Sequence, residues 1–150
     1  MRTSIMLMVS LTLLIAGVAL AQEHAMGQNV AEMKLRTVPG LPTCATGAVQ
    51  SGDPTKGPSI IYSKMTAGCT IPWHWHTPNE HLMMVTGTAR MDMKNGQPLT
   101  LRAGGFAMMP SHHVHQFSCA KGCTLYIYSD GPFDIHYVNA GGARSHRPTR

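Results

Sequence analysis

His74 and His76 stand one residue apart in GCTIPWHWHTPNEHLMMVTG, the stretch from Gly68 to Gly87, and Glu80 follows shortly after. In an extended strand side chains repeat their direction every second residue, so the two imidazoles face one way and Trp73 and Trp75 the other. Thr77-Pro78-Asn79 breaks the strand, because proline cannot donate a ladder hydrogen bond and asparagine favours turns. Glu80 then opens a second apolar run, Leu82 to Val85, which can fold back and aim its carboxylate at the histidines. Two imidazoles and a carboxylate on adjacent strands suit a borderline divalent metal.

Further on, Gly104-Gly-Phe-Ala-Met-Met-Pro110-Ser-His-His-Val-His115 brings another histidine after a glycine-to-proline spacing. Together the two stretches resemble the cupin family. The first matches its pattern G-x5-H-x-H-x3-E-x6-G at Gly68, His74, His76, Glu80 and Gly87. The second matches G-x5-P-x-G-x2-H-x3-N at Gly104, Pro110 and His115, with His112 where the family usually has glycine and Cys119 where it often has asparagine. The resemblance extends roughly from Ser51 to Val138. It implies a cupin jelly roll, a double-sheet β-barrel. It also implies one divalent transition metal per subunit, held by His74, His76, Glu80 and His115. Copper is favoured on raw affinity, with manganese, iron, nickel and zinc also compatible with nitrogen and oxygen donors.

Glu80 and His113 are the candidate catalytic groups. If residues 113–115 are extended, His113 shares the direction of His115 and could support a ligand or shuttle a proton. His81 should face away from Glu80, and His112 reads as a turn residue. Trp73 and Trp75 could stack on a sugar ring or lie in a subunit interface, the interface being the commoner use. Tyr62, Tyr126 and Tyr128 could line the cavity, as could Met84.

Positioning these groups requires strands. Ser59–Met65, Thr70–His76, Glu80–Thr86, Thr88–Met93, Leu99–Leu101, Phe106–Met109, His115–Ser118, Thr124–Ser129 and Ile135–Val138 read as strands between Gly- and Pro-rich breaks. Asn95-Gly96 is the strongest hairpin signal, since both residues tolerate positive φ. Val30 to Leu41 reads as a short helix or an edge strand, and Ser51 to Pro58 as a turn-rich connection. The pattern is all-β, with no competing helical period.

A chain of 150 residues allows one domain. The expected organisation is a signal peptide over 1–21, an N-terminal arm over 22–41, a cupin domain over 42–140 and a basic tail over 141–150. Arg2, the apolar run from Ile5 to Leu20 and the small-x-small site Ala19-Leu20-Ala21 define a secretory leader, so the mature protein is expected to be secreted or periplasmic, with no membrane span. The formal charge of +5 falls by one when the leader is removed. Much of the rest lies in the tail, at Arg144, Arg147 and Arg150, which argues against a nucleic-acid partner. In an exported domain, four cysteines favour disulfides. Cys119 and Cys123 flank a three-residue loop suited to a hairpin, leaving Cys44 with Cys69; the alternative leaves Cys69 free beside the metal strand.

Three functions follow from the ligand set and export. The first is an oxidoreductase using oxygen or peroxide, with copper-dependent cleavage of cellulose or a related glycan as its specific form. The second is a non-enzymatic metal- or small-molecule-binding cupin, and the third a non-redox isomerase or lyase. A homodimer is expected in each case.

Overall fold

Alternation of inward apolar and outward polar side chains builds two antiparallel sheets that share one long strand. The computed structural model describes residues 25–139 and residue 143. The expected signal peptide and all of the expected tail except Ala143 lie outside the described residues. A 3-10 turn at Val30–Glu32 precedes ten strands: β1 (Arg36–Thr37), β2 (Ala45–Gly52), β3 (Ser59–Met65), β4 (Cys69–Trp75), β5 (Glu80–Met93), β6 (Leu99–Arg102), β7 (Phe106–Met109), β8 (His115–Cys119), β9 (Cys123–Ser129) and β10 (His136–Tyr137). The fold is all-β and is the jelly roll that the sequence implies.

One sheet has the order β1-β2-β3-β9-β5-β7, and the other the order β6-β5-β8-β4-β10. The first half of β5, up to Gly87, pairs with β9 and β7; from Thr88 it pairs with β6 and β8. Gly87 is the corner, with φ of 79°. A Cβ there would come within 2.4 Å of the Gly122 carbonyl oxygen, so only glycine allows this crossing. The core lies between the sheets, where Ile61, Leu82, Met91, Phe117, Leu125 and Ile127 are all buried.

β2 lies where the sequence showed no strand. Its run ATGAVQSG is poor in β-branched and aromatic residues. Small residues suit it because the sheet edge is tightly covered: a Cβ on Gly47 would meet the Val38 and Ile61 methyls at 3.0 and 3.1 Å. The N-terminal arm joins this edge through β1, which pairs with β2. Its end is held by the Tyr137 hydroxyl, which donates to the Gly40 carbonyl at 2.8 Å. Asn95-Gly96 does lie between two paired strands, β5 and β6, but neither residue takes positive φ. The loop is longer than a two-residue turn, because Pro98 has no N–H for the ladder and pairing starts only at Met91 and Leu99.

Both expected disulfides form, Cys44–Cys69 and Cys119–Cys123. The second does not close a hairpin. β8 and β9 belong to different sheets, so the bond staples the corner where the chain passes between them. Cys69 also lies opposite Cys119 in the β4–β8 ladder, which gathers both bonds at one end of the barrel.

Candidate metal centre

At the other end of β4 and β8 the histidines converge. Burial alternates along β4 through Cys69 and Ile71, a phase that would turn Trp73 inward and His74 outward. An irregularity in the β4–β8 pairing between Ile71 and His74, at Pro72, shifts that phase. A proline is tolerated in a sheet at such a bulge. His74 and His76 therefore face the core, each 3% exposed, and His74 lies directly opposite His115. Glu80, the first residue of β5, faces the same interior at 5% exposure.

His74, His76 and His115 each present one ring nitrogen, all within 4.8 Å of one another, and this cluster could hold one metal ion. Glu80 completes it. Its two oxygens lie 3.7 Å from His76 Nε2 and 3.6 Å from His115 Nε2. The other nitrogen of each ring is committed. Nδ1 of His74 bonds the Pro72 carbonyl at 2.6 Å, Nδ1 of His115 bonds the His113 carbonyl at 2.9 Å, and Nδ1 of His76 bonds the Asp134 carbonyl. A carbonyl oxygen only accepts, so each Nδ1 carries the proton and donates it. Nε2 is then the nitrogen of each ring not engaged by a carbonyl, and the one open to a metal. The buried Nε2 of His76 has no hydrogen-bond partner, an orphan that a metal would satisfy.

The charges agree. Burial pushes the His74 imidazole well below its usual value, and repulsion from His115 and His76 adds to the effect. Burial pushes the Glu80 carboxyl up, but His76, His115 and His74 outweigh it and hold it at about 2. At neutral pH the centre thus offers a neutral His74 imidazole and a buried anion, ready for a cation. A pH dependence follows for the metal-free fold. His74 contributes its full stability above 6.5 and loses it as the pH falls below, because the unfolded chain then binds a proton that the folded chain refuses. Glu80 adds a second loss as the pH falls from 4.5 towards about 2. The melting temperature of metal-free protein is expected to drop between about pH 7.5 and about pH 5. A flat or rising profile would contradict this charge assignment.

A clamp that motif spacing does not reveal holds the loop between His76 and Glu80. The Asp134 carboxylate accepts from the Thr77 N–H at 2.7 Å, while its own carbonyl takes the His76 proton. Asp130 accepts from the Asn79 backbone N–H at 2.9 Å and from its side-chain amide at 2.6 Å. Ser111 N–H donates to Asn79 Oδ1 at 2.9 Å. Groups that orient a ligand histidine are worth about 10–100-fold in metal affinity. Asp134→Ala keeps the carbonyl that orients His76 and removes only the carboxylate that fixes Thr77. It is therefore expected to weaken metal binding by no more than about tenfold, read by competition with a metal-sensitive dye; unchanged affinity would show that the Thr77 contact does not position the site.

Other expected neighbours are placed differently. Strand β8 begins at His115, so the alternation that would bring in His113 does not apply. His113 supports His115 through its backbone carbonyl, and its ring does not line the cavity. Tyr62, Tyr126 and Tyr128 do not line the cavity; Tyr126 and Tyr128 alternate with the buried residues of β9, and the buried Tyr62 packs edge-on to Tyr126 at 5.2 Å. Met84 is buried in the core without lining the cavity. Trp75 is sandwiched between the rings of His112 and His136, with centroids 4.5 and 4.0 Å away. Both faces of its indole are covered, so it has none for a sugar ring. His112 adopts φ of 61°, the left-handed conformation open to glycine. Its stack on Trp75, its Nδ1 contact with Ser111 Oγ at 2.7 Å and its N–H to the His76 carbonyl at 2.8 Å compensate the strain.

The cavity at the cluster is about 20 Å³, room for about one water. Its remaining walls are apolar, among them Ile71, Leu82, Phe117, Leu125 and Ile127.

A family model described as "Cupin domain" matches residues 61–128, the stretch that holds His74, His76, Glu80 and His115. No curated protein matches the sequence. Among solved structures, the polyketide cyclase RemF from Streptomyces resistomycificus superposes with a TM-score of 0.66 at 14% identity, covering 77% of this chain and 87% of that one. The Cnp3 cupin domain of Schizosaccharomyces pombe gives 0.60 at 12% identity, covering 73% and 77%. The DMSP lyase DddQ from Ruegeria pomeroyi DSS-3 gives 0.58 at 19% identity, covering 67% of this chain; this chain spans 57% of DddQ. Such likenesses establish a shared fold.

Proposed function

We propose that this cupin holds one divalent transition metal on His74, His76, His115 and Glu80 and acts as an enzyme on a small molecule. The observation that carries the reading is the convergence of three buried imidazoles beside one carboxylate, each imidazole fixed through Nδ1 by a backbone carbonyl. Copper heads the affinity order for such donors, and copper would supply oxidative chemistry with oxygen or peroxide. Glu80, ionised and buried, would balance the charge of the cation. The apolar walls exclude water from the reacting atoms.

A small molecule is favoured over cellulose or another glycan. The indole of Trp75 is already covered, and the cavity beside the ligands does not admit a sugar ring. The second reading is a non-redox lyase or isomerase; structures bearing the names lyase and cyclase share this fold. Elemental analysis of protein purified from the periplasm, followed by a paramagnetic resonance spectrum, tests the choice. A copper signal with nitrogen splitting, and turnover of oxygen or peroxide lost in His115→Ala, supports the oxidative reading. Zinc or nickel without redox turnover moves the proposal to the second, and metal-free protein overturns both.

Export fits the two disulfides, which persist in oxidising compartments. A homodimer is also proposed, through the outer face of β5 and β7. Phe106 and Met108 are 59% and 46% exposed there, and the buried His81 Nδ1 beside them lacks a partner. Phe106→Glu with Met108→Lys is expected to halve the mass measured by light scattering. A monomeric wild type would end this proposal.

A further inference from the structure

A second hollow, about 520 Å³, lies between the N-terminal arm and the edge of β2, within the size range of small-molecule sites. Val38, Val49 and Ile61 give it an apolar floor, and Thr37 and Thr55 add hydroxyls. Lys34 and Arg36 stand on its rim, both exposed. Among the described residues neither has an ion-pair partner. The one carboxylate on the same wall, Glu32, is committed to the Asn29 N–H at 2.8 Å. An apolar floor beneath two unpaired cations suits a small organic anion, its charge at the rim and its body inside.

Phe133 lines both this hollow and the small cavity of the metal cluster. Its ring packs on His76 with centroids 5.0 Å apart, and its N–H is tied to the Pro54 carbonyl at 2.8 Å. One aromatic side chain thus separates a space large enough for a substrate from one that holds about one water.

We propose that the hollow receives a small organic anion and that Phe133 is the partition this molecule must displace to reach the metal ligands. The proposal rests on the metal-centre reading only for what lies behind Phe133. With benzoate as the anionic probe and benzamide as its neutral counterpart, titrations followed by amide chemical shifts test the first part on metal-free full-length protein. Benzoate is expected to bind more tightly than benzamide and to shift residues of β1, Val49 and Phe133. Lys34→Gln with Arg36→Gln, both exposed and harmless to the core, should weaken benzoate about fivefold and leave benzamide unchanged. Equal binding of the two probes, or a double variant that binds benzoate as wild type does, overturns the anion site. The partition is tested with manganese-loaded protein, by the relaxation of the benzoate ring protons. Phe133→Ala, and to a smaller extent Phe133→Leu, should increase it by letting the probe approach the metal. Equal relaxation in wild type and both variants overturns the partition. Charge-selective binding with no manganese effect in any of them overturns the metal centre and leaves the anion site standing.

Discussion

Alanine at His74, His76 or His115 is expected to abolish tight metal binding, each substitution weakening affinity by more than about 100-fold. Groups that merely orient a ligand are worth about 10–100-fold, and removing the ligand itself should exceed that. The geometry makes the three losses comparable. Every imidazole is fixed through Nδ1 and contributes one Nε2, so no ring is a spare for another. His113 provides the control. Its backbone carbonyl holds His115, but its ring makes no contact with the cluster, so His113→Ala keeps the carbonyl and should keep the metal. Equilibrium dialysis with elemental analysis of all four variants decides the matter. A His113 variant that loses metal while a His74 variant keeps it would reverse the assignment.

The second large effect concerns stability. Cys44–Cys69 closes a sequence separation of 25, and Cys119–Cys123 one of 4. Chain-entropy scaling assigns about 3.5 kcal/mol to the longer loop and about 2 kcal/mol to the shorter. Cys44→Ala with Cys69→Ala is therefore expected to lower unfolding free energy more than Cys119→Ala with Cys123→Ala, measured by urea denaturation of metal-free protein. The order could reverse only if the shorter bond does more than restrict the unfolded chain. It staples the corner beside Gly87, where β5 passes between the sheets. A larger loss for the Cys119–Cys123 pair would show that corner to be the weak point of the fold.

The sequence made legible those features that local rules determine. Ser59–Met65 and Phe106–Met109 read as strands at their observed bounds because β-branched, aromatic and apolar residues run between clear breaks. The convergence of His74, His76, Glu80 and His115 was legible through two motif spacings. What stayed hidden depends on contacts distant in sequence. β2 is made of small residues that only the packing of Val38 and Ile61 against Gly47 explains. Asp134 and Asp130 brace the metal loop from 51–58 residues away, across a gap that no spacing rule spans. The inward turn of His74 was expected for a simpler reason than the true one. Alternation within the His-x-His pair holds, but the Pro72 irregularity resets its phase against Cys69 and Ile71. His113 shows the converse, a period-2 argument carried one turn beyond the start of a strand.

X-ray absorption at the metal edge of the copper-loaded protein tests the central claim most directly. The structure predicts one ion per chain with three imidazole nitrogens at about 2.0 Å, their outer-ring scattering visible, and oxygen from Glu80 and solvent completing the shell. An all-oxygen shell, or a shell whose imidazole scattering survives unchanged in His115→Ala, would contradict it.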